Sequence, residues 1–115
     1  MRKISELKNR TISNGDILIK IRAAIEAIEP SADVILYGSR ARGDATVESD
    51  YDILILTDSP ATLKQEDIFR RQLFPIEIET GIVMTVFLLN RKDWNSASYR
   101  AMPFYQNVEK DGLVL

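Results

Sequence analysis

Residues 34–56 read VILYGSRARGDATVESDYDILIL, in which two short apolar runs enclose a polar segment. The first run, residues 34–37, predicts a buried strand because it is made of β-branched and large apolar side chains. It leads into Gly38 and Ser39, a pair that by itself is typical of a turn. The second run, residues 51–56, predicts another strand, and the polar segment connects the two.

One helix is predicted before this pair of strands in the sequence, and another after it. Apolar residues recur at helical spacing from Ile17 to Glu29, after a turn-like cluster with several candidate N-caps, and Pro30 ends that helix. A second helix is predicted from about Thr62 to Leu73. Pro75 should end or kink it, which leaves residues 76–80 ambiguous between helix and strand.

The last third of the chain adds a strand and a short helix. Ile82–Leu89 predicts a strand, Pro103 is suited to open a helix and Gly112 to close it. The order helix, strand, strand, helix, strand, helix predicts one α/β (α+β) domain over residues 1–115, a small mixed sheet flanked by helices. The aromatic residues of the tail are predicted to be core: Trp94, Tyr99, Phe104 and Tyr105.

Composition excludes several kinds of chemistry. The 115 residues include no histidine and no cysteine, so a Ser-His-Asp triad, a cysteine nucleophile, a zinc finger or an iron–sulfur cluster cannot be built from this chain. Catalysis would rest on carboxylates, Arg or Lys, hydroxyls, backbone amides, or a hard metal ion held by oxygen atoms.

The sequence also bears on location and partners. The basic segment 1–10 lacks the apolar region of a signal peptide and is expected to be a solvated arm. The longest apolar stretch, residues 81–89, is too short to span a membrane. A cytoplasmic protein without membrane association is therefore expected, and the net charge of −2 does not indicate nucleic-acid binding.

Two carboxylates mark the start of the second strand. Asp50 and Asp52 are two residues apart, so on a strand their side chains lie on the same face. Such a pair is often no more than two solvated carboxylates at a strand end. Adjacent carboxylates repel each other unless a cation lies between them, and Mg²⁺ is the hard ion best suited to oxygen ligands.

The end of the first strand offers groups that bind phosphate. Gly38 allows the backbone to approach a ligand closely, and the hydroxyl and amides of Ser39 suit phosphate oxygens. Arg40 and Arg42 add planar cations of the same preference. A phosphate-binding turn next to a metal-binding strand predicts a nucleoside triphosphate site.

These residues resemble a known signature. Gly38 and Ser39, ten intervening residues and then Asp50-Tyr51-Asp52 resemble the G-S-x(n)-D-x-D motif of the DNA polymerase β-type nucleotidyltransferase superfamily. The likeness is nearest to its small stand-alone branch, the minimal nucleotidyltransferases (MNT proteins). The leading helix, residues 40–43 and the closing segment 104–115 also resemble that branch.

The resemblance implies an activity and partners. It implies a nucleotidyltransferase fold and Mg²⁺-dependent transfer of a nucleoside monophosphate from an NTP, with ATP the expected donor, to an acceptor hydroxyl. Ser39 would then bind the triphosphate, together with Arg40 and Arg42 as weaker assignments, and Asp50 and Asp52 would hold the metal. Many proteins of this branch are similar to antitoxins paired with an all-helical HEPN toxin.

One part of the family pattern is missing from the sequence. The family usually carries a third carboxylate on a later strand, but residues 81–88 contain no acid, and Thr85 is the nearest polar substitute. Glu77 and Glu79 lie just upstream and could replace it, or could form the solvated side of a strand or helix. Two hypotheses stay open: an enzyme, or a catalytically weakened, antitoxin-like binding module. A homodimer is left open as well.

Overall fold

Five strands form one mixed sheet within residues 1–4 and 15–115, the part of the chain that this computed structural model describes. In chain order they are β1 (Arg2–Lys3), β2 (Asp33–Tyr37), β3 (Tyr51–Thr57), β4 (Met84–Asn90) and β5 (Leu113–Val114). Across the sheet the order is β1-β5-β2-β3-β4. The β2–β3 and β2–β5 pairs are antiparallel, whereas β3–β4 and β1–β5 are parallel. The predicted α/β fold with a small mixed sheet is confirmed.

The helices lie on both faces of the sheet. They are α1 (Gly15–Glu26), α2 (Ser39–Arg42), α3 (Leu63–Thr80), α4 (Arg91–Trp94), α5 (Ala97–Arg100) and α6 (Pro103–Asp111). The predicted first helix and the short helix between Pro103 and Gly112 are both present. The turn-like cluster that precedes α1 includes Ser13 and Asn14, which lie outside the described residues.

The predicted end of the second helix near Leu73 is wrong, because α3 continues through Pro75 to Thr80. The alternative, a kink at Pro75, stays a prediction. Proline removes one intrahelical hydrogen bond, but Leu73 and Ile76 on either side of it are both buried in the core. Apolar burial on the sheet-facing side offsets the lost bond. The helix ends instead at Gly81, which has a φ of 75°.

Each face of the sheet has its own apolar core. Between the sheet and α1 and α3 the core is aliphatic, with Phe69 and Tyr51 among its largest members. On the other face, α4, α5 and α6 contribute an aromatic cluster around Trp94, which is 2% exposed. Trp94 lies 4.5 Å from the Tyr105 ring and 5.6 Å from the Tyr99 ring. The prediction that the tail aromatics belong to the core is confirmed.

Strand register places three polar side chains in one row across the sheet. Tyr37 pairs with Asp52 on β3, and Asp52 pairs with Thr85 on β4. Paired residues of neighbouring strands project to the same face. Asp52 alternates with Leu54 and Leu56, which belong to the aromatic core, so the row lies on the face covered by α4–α6.

The amino terminus is attached to the sheet. Arg2 and Lys3 pair with Leu113 and Val114, and the terminal amine donates to the Glu109 carbonyl over 2.8 Å. The expectation of a solvated arm is therefore wrong for this part of segment 1–10, because its backbone hydrogen-bonds β5. Residues 5–10 lie outside the described residues.

Side chains of α3 cover the edge of the sheet at β4. In a parallel pair with this register, the backbone groups of Met84, Val86 and Leu88 point away from β3. The Met84 N–H donates to Glu77 Oε2 (2.9 Å) and the Leu88 N–H to Glu66 Oε2 (3.3 Å). Arg70 donates to the Val86 carbonyl (3.1 Å). We call these three side chains the edge clamp.

None of the helices in the described part of the chain is long and apolar enough to cross a membrane.

Candidate functional site

The turn after β2 brings its backbone against a carboxylate of β3. Gly38 has φ 73° and ψ −158°, a combination that is essentially restricted to glycine. A Cβ atom at Gly38 would overlap Oδ2 of Asp52 and would lie 3.3 Å from its Cγ. Glycine is required here both by the backbone angles and by the space that the Asp52 carboxylate occupies.

The charges of Asp50 and Asp52 interact, although Asp50 lies one residue before the strand on which both were expected. Asp50 is exposed and immediately precedes β3, and Asp52 is partly buried within the strand. Burial raises the pKa of the Asp52 carboxyl, the neighbouring charge of Asp50 raises it further, and Arg42 lowers it. The site therefore disfavours the ionised form of Asp52, and a bound cation would relieve that cost.

Arg42 lies at the end of α2, and its side chain is 44% exposed. Its Nε is 3.2 Å from Asp44 Oδ2, and Nη1 is 3.9 Å from Asp111 Oδ2. Because its charge also lowers the pKa of Asp52, the guanidinium is electrostatically coupled to the site. An exposed arginine beside the carboxylate pair can exchange its aspartate partners for an anionic ligand.

Arg40 has different surroundings from Arg42. It donates to the Ser49 carbonyl from both Nε (3.3 Å) and Nη2 (3.0 Å), and to the Val47 carbonyl (3.5 Å). Its guanidinium carbon is 4.5 Å from the centroid of the Tyr51 ring. All of these contacts are with the connection between α2 and β3 or with the first residue of β3. They do not test the predicted role of Arg40 in nucleotide binding.

Ser39 is the first residue of α2 and lies next to the Gly38–Asp52 contact. The Gly38 carbonyl accepts from the amides of Ala41 and Arg42, which closes the first turn of α2 around the serine. The first N–H groups of a helix have no intrahelical partners. The Ser39 hydroxyl is thus a neutral donor that follows directly on the residue in contact with Asp52.

Neither upstream glutamate joins the carboxylate pair. Glu77 accepts from the Met84 N–H, and Glu79 pairs with Lys20 over 2.7 Å. Both belong to α3, on the opposite face of the sheet from Asp52. Within residues 1–4 and 15–115, no group of three or more Asp and Glu side chains could hold a metal ion. The exposed Thr85 is the polar residue adjacent to Asp52 on β4.

Tyr37 is a site neighbour that was not selected from the sequence. Burial, then the charge of Asp52, then Tyr99 raise its pKa to about 12. The ring also packs edge-on against Phe104, with centroids 5.3 Å apart. Only the β2–β3 register shows that the residue preceding Gly38 lies opposite Asp52, so spacing along the chain could not identify it.

A shallow groove of about 270 Å³ lies elsewhere, between α3 and β4. Its walls include Arg70, Phe74, Glu77 and Val86, all on the face opposite Asp52. The polar side chains of the groove already have partners within the chain: Arg70 and Glu77 bind the β4 backbone, and Arg71 pairs with Asp67. The carboxylate pair and the Gly38–Ser39 turn are therefore the stronger candidate for the functional site.

A family model described as a nucleotidyltransferase domain matches residues 18–100, more than half of the chain. The match includes the Gly38–Ser39 turn, both aspartates and β4. The chain belongs to the nucleotidyltransferase domain family. This confirms the resemblance at the level of the superfamily, and the MNT branch stays a prediction. No curated protein matches the sequence of this nucleotidyltransferase-domain chain.

Proposed function

We propose that this chain transfers a nucleoside monophosphate from a Mg²⁺-bound nucleoside triphosphate, with ATP as the donor, to an acceptor hydroxyl. The observation that carries the proposal is the contact between Gly38 and the Asp52 carboxylate. It joins the turn that would bind phosphate to the strand that would bind the metal. Membership of the nucleotidyltransferase domain family supports the general activity.

The donor set fits one Mg²⁺ ion that shares its ligands with the substrate. Mg²⁺ is commonly held by one or two carboxylates together with substrate phosphates and water. Asp50 and Asp52 would provide the carboxylates, and the raised pKa of Asp52 is consistent with a place that favours a cation. The ion would neutralise phosphate charge and polarise the reacting groups.

The other residues of the turn would hold the triphosphate. The Ser39 hydroxyl would donate to a phosphate oxygen, and Arg42 would leave Asp44 to pair with another. Attack by the acceptor oxygen forms a bond to the α-phosphorus, while the bond from that phosphorus to the bridging oxygen breaks. Pyrophosphate leaves with that electron pair, and the hydroxyl proton passes to solvent.

Labelled ATP tests this activity directly. The protein and its co-purified partners are incubated with Mg²⁺ and ATP labelled at the α-phosphate, and transfer to any acceptor is followed. We expect transfer by the wild type and its loss in the D50N/D52N variant. The matched control is D67N/E79Q, which removes two exposed carboxylates from α3, on the other face of the sheet. If wild type transfers no more label than D50N/D52N, the proposal is wrong.

A second function, an antitoxin-like binding module paired with a small helical, HEPN-type protein, is favoured by Thr85. The residue lies beside Asp52 where the family resemblance implies a third carboxylate, and a hydroxyl is a weaker metal ligand and base than a carboxylate. In this case the chain would bind nucleotide and partner without efficient transfer. The D50N/D52N variant would then still bind and neutralise the partner, whereas loss of neutralisation would exclude this function.

A further inference from the structure

The two arginines of α2 have different contacts. Arg42 is exposed, and its partners within residues 1–4 and 15–115 are the carboxylates of Asp44 and Asp111. Arg40 is partly buried and donates to backbone carbonyls of the following connection, at Val47 and Ser49. Both arginines are candidates for phosphate binding by charge alone. Among the residues that the structure describes, Arg40 hydrogen-bonds backbone carbonyls, whereas the contacts of Arg42 are with carboxylates.

In the described part of the chain, residues 47–49, which Arg40 contacts, have few other hydrogen bonds to the rest of the domain. Val47 is 96% exposed. Within the segment, the Thr46 N–H donates to Ser49 Oγ (2.9 Å) and the Ser49 N–H to the Thr46 carbonyl (3.1 Å). These bonds close a local turn but do not attach it to the rest of the domain. Arg40 supplies that attachment through the carbonyl of Ser49, the residue that precedes Asp50.

The geometry of the contact requires a guanidinium. One flat group stacks on the Tyr51 ring, 4.5 Å from its centroid, and directs two nitrogens to the Ser49 carbonyl. A lysine ammonium could make one of these interactions but has no planar fork to make them all. Asp52 needs no such support, because it lies within β3, between Tyr37 of β2 and Thr85 of β4.

We propose that Arg40 is a positioning residue, which fixes Asp50 relative to Ser39 by clamping residues 47–49 onto α2 and Tyr51. This deepens the proposed function and rests on it as far as the ligand is concerned. Without the contacts of Arg40, Asp50 is held on one side only, by β3. Metal affinity should then fall even when no nucleotide is present, since the two carboxylates no longer converge.

Metal binding without nucleotide separates this role from phosphate binding. Mn²⁺ alone, as a spectroscopic substitute for Mg²⁺, is titrated into wild type, R40A, R40K and R42A. Loss of groups that orient metal ligands typically weakens metal binding about 10–100-fold. We expect a loss in that range for R40A and a partial loss for R40K. R42A should bind Mn²⁺ at least as well as wild type, because a cation near Asp52 has been removed, but should bind Mg²⁺-ATP less well.

Amide hydrogen exchange provides a readout that does not depend on any ligand. Exchange at residues 47–50, which Arg40 contacts and Arg42 does not, should accelerate in R40A and stay unchanged in R42A. If R40A does not fold, R40Q, which keeps one amide donor, replaces it in both measurements. Unchanged Mn²⁺ affinity in R40A together with weaker Mg²⁺-ATP binding would make Arg40 a phosphate ligand and overturn the proposal, as would unchanged exchange. Failure of wild type to bind Mn²⁺ and Mg²⁺-ATP contradicts the proposed function instead, and the exchange result still decides the role of Arg40.

Discussion

Alanine at Gly38 should damage both the stability of the domain and its candidate site. The new methyl group would overlap the Asp52 carboxylate, and the backbone would remain in a region that alanine rarely adopts. Either the turn moves away from β3 or the Asp52 side chain leaves its rotamer. In both cases the phosphate-binding groups and the carboxylate pair separate.

The loss of unfolding free energy in Gly38→Ala has two parts. A residue held in such a backbone region costs about 1–3 kcal/mol, and forcing a methyl group into filled space costs about as much again. The expected loss of unfolding free energy is therefore about 2–6 kcal/mol, from a total that is typically about 5–15 kcal/mol. At about 4 °C per kcal/mol for a domain of this size, Tm should fall by about 8–24 °C.

Gly81→Ala is the matched control. Gly81 also has a positive φ, of 75°, but nothing lies within 4 Å of the position of its Cβ. The Gly81→Ala variant should lose only the free energy that alanine costs in a left-handed backbone conformation, about 1–2 kcal/mol. The difference between the two variants isolates the contribution of the Asp52 contact and of the more restricted backbone region at Gly38.

A double-mutant cycle with Asp52→Ala then tests the contact itself. Urea unfolding is measured in EDTA for wild type, G38A, D52A and the double variant, so that metal binding does not contribute. Removing the carboxylate should reduce the cost of G38A by about 1–3 kcal/mol. If G38A costs the same in both backgrounds, within about 0.5 kcal/mol, the Asp52 contact is not the reason for glycine at this position.

Three further predictions concern other parts of the fold. Because the pKa of Asp52 is raised on folding, its ionisation lowers the free energy of unfolding as the pH rises from the unfolded value of 3.8 through the folded pKa. D52N should therefore unfold at higher urea than wild type at pH 7, and this advantage should shrink towards pH 4; an advantage that is absent at pH 7 or independent of pH would contradict the reasoning. Pro75→Ala restores a backbone hydrogen-bond donor at an exposed helix position, so the free energy of unfolding should rise by about 1–3 kcal/mol and Tm should rise with it. An unchanged or lower Tm would mean that Pro75 does not weaken α3. Thr85→Asp adds a third carboxylate beside Asp52, so calorimetry should show tighter Mg²⁺ binding than in T85N, together with lower stability of the metal-free protein.

The sequence predicts the central elements of the fold because their signals are local. The apolar runs of β2, β3 and β4 and the helical spacing of α1 are each contained in one segment. The two-residue strands β1 and β5 carry no such signal and form only by pairing with distant residues. The end of α3 was missed for a related reason, since burial of Leu73 and Ile76 outweighs the local effect of Pro75.

The sequence indicates which residues of the candidate site are neighbours, but not which contacts each of its two arginines makes. Gly38 contacts Asp52, and the charge of Asp50 acts on Asp52, yet nothing in the spacing separates Arg40 from Arg42. That difference depends on α2, a single helical turn within a segment read from the sequence as a polar connection. The positions of the upstream glutamates likewise follow from which face α3 occupies, which a one-dimensional pattern does not contain.

The edge clamp on β4 has a consequence for how other proteins can recognise this domain. A strand that approached β4 would have to displace the side chains that already bind Met84, Val86 and Leu88. At the other edge of the described sheet, β1 offers only two residues. Strand addition at β4 would thus compete with hydrogen bonds already made within the chain, which favours partners that contact helices and loops. Recognition of that kind depends on side-chain identity and can change by single substitutions without disturbing the sheet.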